Sequence, residues 1–163
     1  MKWDLFRHIV IALAAITSSG YALAQCPATA LTLEHPFVPP PPYRSVLNSP
    51  DRVWYGSESL WTSISPAFRS IGKTPIAVKL VYWRVGFDLM NEPNPDLTVI
   101  AKRLDKASPV VSSDRPTAGK LHGDDSPTGM AMITVMRFPS EGCWEVAANY
   151  KGKTLTWIVA VVP

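Results

Sequence analysis

Two cysteines, Cys26 and Cys143, and the run His122-Gly123-Asp124-Asp125 are the residues of this chain with the most obvious chemistry to offer. A zinc site needs ligands paired at close spacing, and neither the cysteines nor His35 and His122 provide such a pair. Asp124 and Asp125 lack the spaced ligands and closing glutamate of a calcium loop, so they read as a solvated acidic turn. Gly56-Ser57-Glu58-Ser59 contains serines but not the G-x-S-x-G nucleophile elbow. Glu141 and Glu145 flank Gly142-Cys143-Trp144 without a partner that would set one as acid and the other as base. The sequence therefore points to no catalytic residue, no metal ligand and no cofactor, and to a protein that is not an enzyme. The competing reading is a ligand- or metal-binding protein, or a hydrolase, that uses the 105–129 loop around His122, Asp124 and Asp125.

The compartment follows from the first residues. Lys2 and Arg7 precede the apolar stretch Ile9 to Ile16, and Ala22-Leu23-Ala24 has the small-x-small pattern of a signal peptidase site. A signal peptide over 1–24 is expected, leaving a chain that begins at Gln25. The apolar run is too short for a stable membrane span. Leu23-Ala24-Gln25-Cys26 also places a cysteine where a lipid-modified one would sit, but the bulky Gln25 disfavours lipidation. Export, to the periplasm or beyond the cell, puts Cys26 and Cys143 in an oxidising environment, where an even pair closes. A disulfide is expected, worth about 4 to 5 kcal/mol as an upper figure for so long a loop.

Charge excludes a further class. The chain carries 16 basic and 13 acidic residues, and removing Lys2, Asp4 and Arg7 leaves a formal +2. The basic residues are scattered, with no run longer than Lys102-Arg103, so no phosphate-tracking stripe exists and nucleic acid is not an expected partner.

Composition then bounds the elements. The chain is 47% hydrophobic and 18% charged, enough apolar material for one globular domain. Sixteen prolines and nine glycines disfavour a helical bundle. Residues 25–51 form a proline-rich arm, with Pro36 and the run Pro39 to Pro42, which lack amide donors and cannot enter a sheet interior. Residues 52–163 read as strands: 53–55, 60–64, 76–87, 97–104, one short strand within 105–129 (109–112 or 118–122), 130–138, 143–148 and 154–162. Seven or eight strands at this spacing predict an all-β two-sheet sandwich.

Alternation assigns the faces. Leu155, Trp157, Val159 and Val161 share a core face, as do Trp144, Val146 and Ala148, so Cys143 should point outward. In the long strand Ile76, Val78, Leu80 and Tyr82 face the core. Lys79 marks the other face as outer, yet Val81, Trp83 and Val85 are apolar there and need a cover. The arm is the expected cover, through Phe37, Val38 and the rings of Pro39 to Pro42.

Phe138-Pro139-Ser140-Glu141-Gly142-Cys143-Trp144-Glu145-Val146, continued by Gly152 and Leu155-Thr156-Trp157-Ile158-Val159, resembles the end of a set of uncharacterised bacterial exported proteins. The resemblance extends to Leu60-Trp61, Tyr82-Trp83-Arg84, Leu97-Thr98-Val99 and Arg103-Leu104-Asp105, and to an early cysteine like Cys26. It implies an immunoglobulin-like sandwich closed by a Gly-Cys-Trp-Glu-Val hairpin. Antibody-type domains carry tyrosine two residues before the second cysteine, where this chain has Glu141. The resemblance implies no activity. The function expected is thus an interaction or structural module of the cell envelope, meeting an unknown protein or envelope component, with Trp83 and Arg84 as the residue types that most often anchor such contacts.

Overall fold

The computed structural model describes residues 26–43, 50–69, 74–121 and 129–163. The expected signal peptide, and His122, Asp124 and Asp125, lie outside the described residues. Two five-stranded sheets form the sandwich. The first sheet has the spatial order β1 (Val53–Ser57), β2 (Leu60–Ile64), β4 (Ile76–Trp83), β8 (Met130–Phe138) and β7 (Thr117–Lys120). The second has β3 (Ala67–Arg69), β10 (Lys153–Val162), β9 (Gly142–Tyr150), β5 (Leu97–Arg103) and β6 (Val111–Ser112).

Alternation explains the core. Leu155, Trp157, Val159 and Val161 of β10 and Trp144, Val146 and Ala148 of β9 are buried between the sheets, facing Leu80 and Tyr82 of β4 and Met132, Met136 and Phe138 of β8. A period of two on strands with one face inside leaves no other register for these side chains.

The ten described strands exceed the seven or eight expected because short edge strands carry little signal. β3 follows Pro66 and joins β10 in parallel over only three residues. The segment 105–129 holds both proposed short strands, not one. β6 pairs with β5 and β7 pairs with β8, so the chain changes sheets between them. At the crossing the Asp114 amide donates to the Val135 carbonyl at 2.8 Å, and Thr134 Oγ1 donates to the Asp114 carbonyl at 2.6 Å.

β4 stops at Trp83 and does not run on to residue 87. The chain turns at Val85-Gly86, with φ of 67° at Gly86, and Phe87 folds back into the core. Val85 has therefore left the strand's alternation and is 44% exposed, uncovered by the arm.

The arm wraps one side of the sandwich. Cys26 and Cys143 are bonded, S–S 2.02 Å, across a sequence separation of 117. The bond lies on the outer face of the second sheet, packed with Ala160 and Val162, as the parity of Cys143 requires. A single helical turn, α1 (Thr29–Thr32), follows against β10, where Thr29 Oγ1 accepts from the Ile158 amide at 2.8 Å. The Phe37 amide then donates to the Trp54 carbonyl on β1, at the edge of the first sheet, at 3.0 Å. The arm thus joins a sheet only at an edge, as its prolines dictate.

Candidate functional site

On the outer face of the first sheet Trp61 and Trp83 are cross-strand partners. With Ala131 they form a second apolar cluster, against which Phe37, Tyr43, Trp54, Val81, Leu121 and Ile133 pack. Phe37 lies 5.6 Å from Trp61 and Tyr43 lies 5.0 Å from it edge-on, both between ring centroids. Trp54 meets Trp83 edge-on at 5.2 Å. Such tilted and edge geometries place ring edges on ring faces, adding about 0.5–1.5 kcal/mol per pair to the area term. The cover thus comes from Phe37 and Tyr43 and not from Val38, which is 73% exposed. Two bulky rings reach across the sheet, whereas Val38, between Phe37 and Pro39, points away from it. Trp83 is 9% exposed and faces the chain's own rings.

Arg84 begins the turn beyond this cluster. Its Nε donates to the Tyr150 hydroxyl at 2.9 Å, its Nη2 meets Glu92 Oε2 at 3.3 Å, and Tyr150 donates to that same oxygen at 2.5 Å. Lys151 pairs with the other oxygen of Glu92. Burial opposes ionisation of Glu92, but bonds from Lys151, Tyr150 and Arg84 outweigh it and hold its carboxyl below the usual range. Lys151 is raised, first by its bond to Glu92. The phenol of Tyr43 donates to the Arg84 carbonyl at 3.1 Å and accepts from the Gly86 amide at 2.8 Å. Beside this frame Asp88 accepts from the Met90 amide at 2.8 Å, and Met90, 79% exposed, stands out with Val85. Trp83 and Arg84 are adjacent in sequence but divided in role: the first is packed under rings, the second is held by partners from the 84–92 turn and the β9–β10 hairpin.

The Gly-Cys-Trp-Glu-Val segment makes a separate cluster. Arg103 donates to both carboxylate oxygens of Asp105, at 2.6 and 3.0 Å, and to Ser140 Oγ at 2.6 Å, and its guanidinium sits 5.7 Å from the Trp144 ring. Residue 142 has φ of +142°, a conformation that side chains rarely adopt, and the Arg103 guanidinium packs where a Cβ would stand, so glycine suits the position. The Arg103 guanidinium, the Asp105 carboxylate and the Trp144 indole are each met by a neighbour within the fold. The motif's glycine, cysteine and tryptophan respectively admit Arg103, pin the arm and fill the core. Glu145 is half-buried on the outer face of β9, opposite Ile158 and Lys102.

Among buried titratable groups, Tyr82 is pushed well up by burial, and its hydroxyl, like Trp157 Nε1, has no partner among the described residues. A phenol so displaced stays neutral. No group of three or more metal-ligating side chains occurs among the described residues. No helix among them is long and apolar enough to cross a membrane.

Comparison with models of known families and with curated proteins gives no match. A solved structure titled as that of a "Putative Lipoprotein from Bacillus anthracis" is similar at 14% identity, over 82% of this chain and 91% of that one, with a TM-score of 0.37.

Proposed function

We propose that this protein is an exported, non-catalytic interaction module of the cell envelope, periplasmic or extracellular, of the immunoglobulin-like kind that the C-terminal hairpin resembles. The observation that carries the reading is the surface at the 84–92 turn. Arg84 is fixed by Tyr150, Glu92 and Tyr43, and exposed Val85 and Met90 stand beside it. A pre-ordered arginine flanked by apolar side chains makes contacts at low entropic cost, because its rotamer is already chosen. The Cys26–Cys143 bond supports an oxidising compartment. Trp83 serves this surface from beneath, by fixing the strand end from which Arg84 springs.

A photo-crosslinking residue at position 90, with position 102 on the opposite outer face as control, tests the reading in cells. Specific adducts from 90 that vanish with Arg84→Ala are expected. Adducts from neither position, together with thermal stabilisation of the purified protein by a divalent cation, would favour the ligand- or metal-binding reading of the 105–129 loop.

A further inference from the structure

Among the described residues β10 has a strand on its far side only where β3 reaches it, at Ala160, Val161 and Val162. From Lys153 to Val159 no strand among the described residues lies on that side. The outward groups of this stretch belong to its even-numbered residues, and the Ile158 amide and Thr156 carbonyl among them are met by side-chain hydroxyls, as the Ala160 amide just beyond is met by a loop carbonyl. Thr29 Oγ1 takes the Ile158 amide at 2.8 Å, the Tyr55 hydroxyl donates to the Thr156 carbonyl at 2.9 Å, and the Pro66 carbonyl takes the Ala160 amide at 3.1 Å. A hydroxyl satisfies one backbone group and offers no second rung, so a ladder cannot continue from it.

The sequence of this edge, Thr154-Leu155-Thr156-Trp157-Ile158-Val159, is rich in strand-forming residues and contains no proline. Laid antiparallel to a second copy about Thr156, Thr156 faces its own counterpart and Thr154 faces Ile158. Every outward amide then meets an outward carbonyl, which makes the edge self-complementary under two-fold symmetry. We propose that the first turn of the arm is an edge guard: Thr29, held in place by the Cys26–Cys143 bond three residues away, blocks antiparallel pairing of β10 with β10 of a second copy of this chain. The guard and the aromatic cover are distinct, since Phe37 and Tyr43 grip the other sheet.

The mature chain carrying Cys26→Ser, Cys143→Ser and Tyr55→Phe frees the guard, removes the Tyr55 hydroxyl from the Thr156 carbonyl and leaves the Phe37 and Tyr43 rings in place. Multi-angle light scattering across a concentration series should show an association step absent from the intact chain, doubling the mass. Adding Thr156→Lys, which sets two ammonium groups opposite each other at the symmetry axis, should abolish that step. Thr29→Val, with the disulfide intact, keeps the shape and removes the acceptor, and serves if the serine variant fails to fold. It should speed exchange of the Ile158 amide about tenfold, the ratio that one hydrogen bond supplies. A folded serine variant with the mass of the intact chain at every concentration would overturn the proposal, as would association that survives Thr156→Lys. Unchanged Ile158 exchange in Thr29→Val would overturn the role of Thr29.

Discussion

At Cys26 the arm meets the second sheet through a covalent bond, whereas at Phe37 and Tyr43 it meets the first sheet through ring packing and hydrogen bonds. The two attachments differ in which state of the chain they act on. The disulfide works mainly by restricting the unfolded ensemble, and does so whether or not its surroundings are well packed. The ring cluster works only in the folded state, through area removed from water, at roughly 25 cal/mol per Å². Damage to the first should lower global stability while local packing persists. Damage to the second should open the outer face of the first sheet.

Trp61→Ala should have the largest effect, about 3–5 kcal/mol in urea denaturation, because the ring is buried beneath both Phe37 and Tyr43. Its signature should be faster amide exchange at residues 37 and 54. Replacing both cysteines by serine should cost about 2–4 kcal/mol, measured at low protein concentration, with Trp83 fluorescence unchanged because the rings stay seated. If that variant instead exposes Trp83 to quencher as strongly as Trp61→Ala does, the two attachments are one cooperative unit. Tyr43→Phe keeps the ring and removes two hydrogen bonds, at about 1 kcal/mol, and should loosen the 84–92 turn more than the arm.

The smallest effect concerns acid. A carboxyl whose folded-state pKa is depressed contributes stability that is complete above its unfolded pKa and is lost as pH falls through the folded value. Glu92→Gln should therefore lower stability at neutral pH, where the contribution is complete, and flatten the acid limb, so that the two curves converge as pH falls through the folded value of Glu92. An acid limb identical to that of the intact chain would show that Glu92 does not hold the turn.

Much of the sandwich was legible because alternation is a local signal. The inward sets Leu155, Trp157, Val159, Val161 and Trp144, Val146, Ala148, and the outward turn of Cys143, follow from parity alone. Parity fails where strands end, which is why Val85 was expected under a cover and stands exposed. It also cannot say that Ala160 and Val162, outward on β10, are buried under the arm. The Arg84 network was half legible: Arg84 stood out as an anchor type, but Glu92, Tyr150 and Lys151 come from a turn and a hairpin tip that no sequence period joins. The placing of the two ends of the arm is a further matter that parity leaves open. They lie on opposite sheets, because sheet membership depends on long-range pairing and not on any residue of the arm itself.

The disulfide also sets a path for mechanical load. Cys143 lies directly across the β9–β10 ladder from Ala160, so the sulfur bridge reaches the sheet one rung from the strand's last residues. Tension applied ahead of Cys26 and beyond Val162 therefore passes through the bridge and a few adjacent rungs of β9, β10 and β3. The arm, the first sheet and the 84–92 turn carry none of it. A chain stretched between those two points would keep the surface of the 84–92 turn in shape while the load runs past it.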